Sequence, residues 1–190
     1  MMNLSQYNLV LALVIPLLAG AVVGFINGIL VEKLSIPAFI ATLATQMFIR
    51  GLVQMLCNQE TYKVESVPMP ILALGRLTFG KILPLPLILF VIATLIAAFV
   101  LKRRFVGRSM YIVGGNLEAA NMMGVSVPKT MITAHVLCGV LTCIGGMIYT
   151  SRVGVASPLA GTGYEMYAIA AVVLGGAKLT GGVGKVSGTF

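Results

Sequence analysis

Residues 181–185 read Gly-Gly-Val-Gly-Lys, the order that ends a phosphate-binding loop. Such a loop cradles phosphate in backbone amides and needs a glycine six residues before the lysine and Ser or Thr directly after it. Leu179 and Val186 stand at those places, so this chain itself holds no nucleotide site. Proton-coupled carriers commonly relay protons through buried carboxylates. Here there is no aspartate, and of five glutamates only Glu165 adjoins the membrane interior. His135, the one histidine, stands alone on an apolar stretch, where an imidazole is more often a satisfied interior group than a base or ligand. Cys57, Cys138 and Cys143 form neither an even disulfide set nor a CxxC pair, and they read as small packing residues. No catalytic, metal-binding or cofactor-binding set emerges, and an enzyme is a weak reading.

The remaining polar chemistry is dispersed. Asn27 is the one polar side chain inside the run from Asn8 to Val31. Arg50 is about two turns from the outer end of the next run, close enough to snorkel, so structural anchoring and a pathway role both stand. In residues 114–130, Glu118 falls near the start of a short helix, where the dipole favours a negative charge. Leu117, Ala120 and Gly124 are spaced to share one face of it. A short amphipathic helix held between two spans is a surface for docking a partner, and its apolar content is modest for a helix lying in lipid headgroups.

The elements that must position these residues follow from composition. Of 190 residues, 58% are hydrophobic and 9% charged, against about 25% charged in soluble domains, and the mean hydropathy is +1.02. This is an integral membrane protein. The net charge of +8 is therefore a topology signal. A nucleic-acid binder would need a soluble basic face, which the short stretches between spans do not supply, so nucleic acid is excluded as a partner. The amino terminus lacks the basic n-region and cleavage site of a signal peptide, so its apolar run is expected to remain as a span.

Four spans are expected: Asn8 to Val31, Pro37 to Leu56, Leu83 to Leu101 and Thr130 to Thr150. Gly20, Gly24 and Gly28 recur every fourth residue in the first, so they stack on one face and predict a close helix interface. Lys102, Arg103, Arg104 and Arg108 follow the third span directly and put that loop in the cytoplasm. Alternation then places Glu32 to Ile36 inside and residues 57–82 and 151–163 outside. A fifth apolar run, Met166 to Leu174, is about 14 Å long as a helix, under half of a hydrocarbon core of about 30 Å. It ends in Gly175 and Gly176. A short helix ending in glycines predicts a broken or re-entrant segment near a pathway, the other reading being a helix cut short because the chain ends.

Three blocks carry a resemblance: residues 27–52 (NGILVEKLSIPAFIATLATQMFIRGL), 114–127 (GGNLEAANMMGVSV) and 161–189 (GTGYEMYAIAAVVLGGAKLTGGVGKVSGT). They resemble the permease subunits of bacterial sugar ABC importers, the ribose, xylose, galactose and autoinducer-2 group. Glu118, Ala119, Ala120 and Gly124 resemble the EAA-x3-G pattern of the cytoplasmic coupling helix that sits in a groove of the ATPase. The fuller pattern continues with Ile-x-Leu-Pro, where this chain has Ala134 to Leu137.

The apolar runs together predict an all-α integral membrane fold of four spanning helices plus one short broken or re-entrant segment. The resemblance makes residues 1–190 a single, partial permease domain, with the coupling helix in the cytoplasmic loop of residues 102–129. It further implies a channel-forming subunit in a bacterial inner membrane that pairs with a second permease copy. That subunit would receive sugar from a periplasmic or extracellular binding protein and be driven by a cytoplasmic ATPase, with no cofactor of its own. The expected docking residues are Glu118, Ala119, Ala120 and Gly124. The expected pathway residues are Asn27, Arg50, Glu165, Gly175 and Gly176.

Family members carry further membrane segments before residue 27 and after residues 188–189, so the chain reads as truncated at both ends. Two other readings remain open at the level of sequence: an energy-independent channel or secondary carrier, and a non-transporting remnant.

Overall fold

The computed structural model of the protein describes residues 9–63, 75–79 and 83–189. Asn8, the expected start of the first span, and Glu65 and Lys81 of the outer segment lie outside these residues. Among the described residues, four helices are long and apolar enough to cross a membrane: α1 (Leu9–Leu34), α2 (Ala38–Leu56), α3 (Leu85–Arg103) and α6 (Val127–Val153). The four expected spans are thus present, with ends shifted by a few residues. Shorter helices are α4 (Phe105–Gly115), α5 (Leu117–Met122) and α7 (Tyr164–Leu174). The fifth apolar run is the last of these, and it stops at Leu174 as expected.

The chain divides into two compact units, one of residues 1–89 and 135–160, the other of residues 90–134 and 161–190. In both, burial runs opposite to that of a soluble protein. Leu18, Phe48, Leu95 and Phe99 are exposed, while among the described residues no buried side chain is larger than valine: Val31, Ala41, Ser109, Val113, Ala120, Val125 and Ser151. Helices in lipid gain little by burying large apolar groups against one another, so they associate through small residues that let backbones approach.

The first unit contains such an approach. Gly20, Gly24 and Gly28 are all buried on α1. A Cβ on Gly20 would stand 2.6 Å from Sγ of Cys143, and one on Gly24 would strike the backbone at His135 and Val136. The reciprocal contact is Gly139, where a side chain would meet the backbone of Gly20. The every-fourth glycine face therefore packs on α6. Within the spans, hydroxyls are satisfied locally: Oγ1 of Thr42, Thr45 and Thr142 donates to the carbonyl four residues back, at 2.8, 3.0 and 2.8 Å, as a lipid environment requires.

The outer segments of this unit are tied together. The strand β1 (Tyr62–Lys63) pairs antiparallel with β4 (Val155–Ala156), Tyr62 opposite Ala156 and Lys63 opposite Val155. A second ladder joins β2 (Thr78–Phe79) to β3 (Leu83–Pro84). The amide of Gly75 donates to Oγ of the buried Ser151 at 3.0 Å. Tyr62, Lys63 and Gly75 thus lie beside Ala156, Val155 and Ser151, as the alternation of spans requires.

The second unit holds a helix that the sequence reading left inside a loop. After an extended turn at Arg104, α4 runs back against the end of α3. A Cβ on Gly107 would press on the backbone of Val100 and Leu101. Arg104 also lies over the ring of Phe99 at 5.9 Å. Val113 from α4, Ala120 from α5 and Val125 form the buried cluster of this unit, with Ile112, Val127 and Met131 packed around it.

Candidate functional site

The six residues of α5 are too few to hold a helix by propensity, and its ends are fixed by a side-chain cap at the start and backbone bonds at the end. At the start, Asn116 is extended (φ −158°), and its Oδ1 accepts from the amides of Glu118 and Ala119 at 2.9 and 3.0 Å. At the end, the Gly124 amide donates to the Asn121 carbonyl and the Val125 amide to the Ala120 carbonyl, both at 3.0 Å. That pair of bonds is the Schellman closure, which places its glycine in the left-handed region; Gly124 has φ +74°.

The expectation that Gly124 shares a helix face with Leu117 and Ala120 is corrected here. The helix stops at Met122, and Gly124 is the reversal beyond it. Nor do Leu117 and Ala120 behave alike. Ala120 is completely buried, Leu117 half exposed. Once Ala120 is inside, residues two away point outward: Glu118 is exposed, Met122 is 90% exposed, and Met123 follows it out. The two methionines were missed in the sequence. Their signal was the Ala120 register, and exposed methionine is a flexible, polarizable contact residue. A groove of about 630 Å³ lies beside this helix, with Met110, Gly114, Leu117, Glu118, Met131 and Thr180 on its walls.

The glycine-rich stretch after α7 is built by close approach. Gly175 and Gly176 end α7 with another Schellman pair: the Gly176 amide to the Val173 carbonyl at 3.0 Å and the Ala177 amide to the Val172 carbonyl at 3.1 Å. Gly175 then meets Gly188 backbone to backbone, with no room for a side chain on either. The stretch that resembled a phosphate loop is a packed turn. The Lys178 amide donates to the Val183 carbonyl at 3.0 Å, the Gly181 amide returns to the Lys178 carbonyl at 3.0 Å, and the Tyr111 hydroxyl donates to the Gly184 carbonyl at 2.9 Å. Gly181 and Gly182 rest on Gly114 and Gly115, directly before the Asn116 cap.

Of the expected pathway residues, Asn27 and Arg50 line one cavity of about 350 Å³ in the first unit. Glu165 lies in the first turn of α7, half-buried, in the second unit with Gly175 and Gly176.

Comparison with known proteins adds a lineage to this geometry. The family model described as branched-chain amino acid transport system / permease component matches residues 1–190. The chain is 37% identical over 187 residues to the ribose import permease protein of Escherichia coli (strain K12), covering 97% of this chain and 58% of that protein. It is 38% identical over 187 residues to the autoinducer 2 import system permease protein of Enterobacter sp. (strain 638), covering 98% and 53%. It is 39% identical over 163 residues to the L-arabinose transport system permease protein of Escherichia coli (strain K12), covering 85% and 48%. The chain thus spans about half to three-fifths of the length of these curated relatives. No solved structure matches it.

Proposed function

The chain belongs to the branched-chain amino acid transport system permease component family, and from that premise we propose that it serves as the channel-forming subunit of an ATP-driven sugar importer. It is a multi-pass inner-membrane protein, and the ribose, autoinducer 2 and L-arabinose relatives carry transport names rather than enzyme names. On this reading it is not an enzyme. It contributes part of the translocation pathway, pairs with a second permease copy, accepts sugar from a binding protein outside and is moved by an ATPase in the cytoplasm.

The observation that carries the reading is α5. A docking element that transmits motion must be rigid on one side and exposed on the other. Ala120 is anchored in the cluster with Val113 and Val125, while Glu118, Met122 and Met123 face away. Glu118, Ala119, Ala120 and Gly124 divide the work accordingly: Glu118 meets the partner, Ala119 and Ala120 seat the helix, and Gly124 closes it. The energy-independent carrier has less to support it, since among the described residues no carboxylate lines the cavity that holds Asn27 and Arg50.

Co-purification with the candidate ATPase tests this reading. Wild-type chain is expected to retain the ATPase, and Glu118→Lys and Met122→Asp to lose it while remaining in the membrane. Retention by all three would sink the docking assignment. Sugar uptake that persists without any ATPase would favour the carrier.

A further inference from the structure

Lys102 and Arg103 end α3, Arg104 makes the turn that follows, and Arg108 lies in the first turn of α4. No aspartate or glutamate stands between Glu65 and Glu118 in the sequence. All four cations are exposed, and among the described residues none of them pairs with a carboxylate. Sidedness requires only that such residues lie near a span end. Their arrangement is more specific than that.

The elbow between the two helices is tight, because the buried Gly107 lets the first turn of α4 rest on the backbone of Val100 and Leu101. The Arg108 amide donates to the Arg104 carbonyl at 3.2 Å, which sets the two arginines one helical turn apart. Arg104 is held beside α3 by the Phe99 ring, 5.9 Å away. The neighbouring Ser109 hydroxyl donates to the Phe105 carbonyl at 2.8 Å, so its hydrogen is spent within the helix. Apolar groups flank the charges: Phe105 is 67% exposed, and Phe99 and Val106 are exposed with it. No charged residue interrupts α3 from Leu85 to Leu101, so its apolar length ends where Lys102 begins. That puts the elbow at headgroup depth.

We infer that the α3–α4 elbow is a docking surface for an anionic phospholipid, its phosphate between Arg104 and Arg108 and its acyl region against Phe105 and Val106. Charge complementarity selects the headgroup: basic residues clustered directly beside a span attract anionic lipid, and a guanidinium meets phosphate oxygens with paired N–H donors. The exposed phenylalanines select a lipid over a soluble anion, which would leave them in water, whereas an amphipathic element beside a span sinks its apolar side into the acyl boundary. The inference stands apart from the importer reading, since it needs only the span and its basic end.

Tryptophan quenching tests it. The chain contains no tryptophan, so Phe105→Trp places a single reporter at the elbow, and Leu95→Trp places one at an exposed position in mid-span. Each full-length protein is placed in phosphatidylcholine vesicles that carry a minor fraction of either dibrominated phosphatidylglycerol or dibrominated phosphatidylcholine. At residue 105 the quenching is expected to report association with the anionic lipid about fivefold over the neutral one. At residue 95 the two lipids should quench alike. Adding Arg104→Gln with Arg108→Gln should bring the preference at residue 105 close to parity, while Lys178→Gln with Lys185→Gln, outside the elbow, should leave it unchanged. Equal quenching by the two lipids at residue 105 overturns the inference, whether or not the glutamine variant folds. A preference that survives the arginine substitutions, or falls as far with the lysine pair, overturns the assignment to the elbow. Quenching by neither lipid at residue 105, with residue 95 quenched by both, means that protein covers the elbow and overturns the lipid as its occupant. Loss of the preference on adding inorganic phosphate at constant ionic strength gives the arginines to a soluble anion and overturns it as well.

Discussion

The Val125 amide reaches back to the Ala120 carbonyl at 3.0 Å, and the two side chains meet in the same buried cluster. One backbone bond thereby links the end of a six-residue helix to the packing that holds it. The residue that makes the bond attainable is Gly124, at φ +74° with open space where a Cβ would stand. Gly124→Ala therefore meets no clash and costs only the backbone term, about 1–2 kcal/mol. Gly124→Asn is expected to recover much of it, because asparagine tolerates the left-handed region. Thermal unfolding of the three proteins in detergent checks the ranking. Equal stability of wild type and Gly124→Ala would show that the turn is not held in this conformation.

Glycines in α6 are expected to split by environment. At Gly139 a methyl group would press on the backbone of Gly20 and Gly24, whereas at Gly145 and Gly146 nothing lies within 4 Å. Gly139→Ala must push two helices apart, at about 1–3 kcal/mol. Gly145→Ala should be neutral or stabilising by up to about 1 kcal/mol, as for any exposed helical glycine. Unfolding of the two variants side by side decides it, and equal behaviour would mean that α1 and α6 do not meet at this face.

Sidedness is testable through the β1–β4 ladder. Lys63 stands opposite Val155, and directly opposed residues place their Cβ atoms about 4.5–5.5 Å apart, within small adjustment of disulfide geometry. Lys63→Cys with Val155→Cys, in a background without the native cysteines, should cross-link on mild oxidation. Each cysteine alone should react with an impermeant reagent from the outer face. Reaction from the cytoplasmic face would invert the topology drawn from Lys102 to Arg108.

How far the sequence alone reached depends on the range of the interaction involved. The spans were legible because hydropathy over about 20 residues needs no tertiary partner, and the ends of α2 and α7 came within two residues. The α1 glycine face was legible as an interface from its spacing, but not its partner on α6. Residues 105–115 were not legible as a helix, because Arg108 and Gly107 break the apolar pattern and the close approach to Leu101 is tertiary. The two-residue strands carry no periodicity at all. Gly124 was misjudged by extending a helical period through a glycine that reverses the chain. Asn27 and Arg50 were each singled out in the sequence, but nothing local to either joined them in the one cavity they line.

On the docking role proposed for α5, Asn116 is expected to link stability to coupling. Its Oδ1 accepts from two amides, of Glu118 and Ala119, and an N-cap replaced by alanine costs about 0.5–2 kcal/mol. In a long helix that loss frays one turn. In α5, with six residues, one turn is most of the helix, and Glu118 sits in it. Asn116→Ala is thus expected to lower ATPase retention several-fold with the spans intact. Asn116→Asp and Asn116→Ser, which keep an acceptor at the cap, should restore it. A Leu117→Ala control removes apolar surface without touching the cap and separates contact from order. Full retention by Asn116→Ala would show that α5 is held by its Ala120 anchor alone, and the cap would then have no part in transmitting motion.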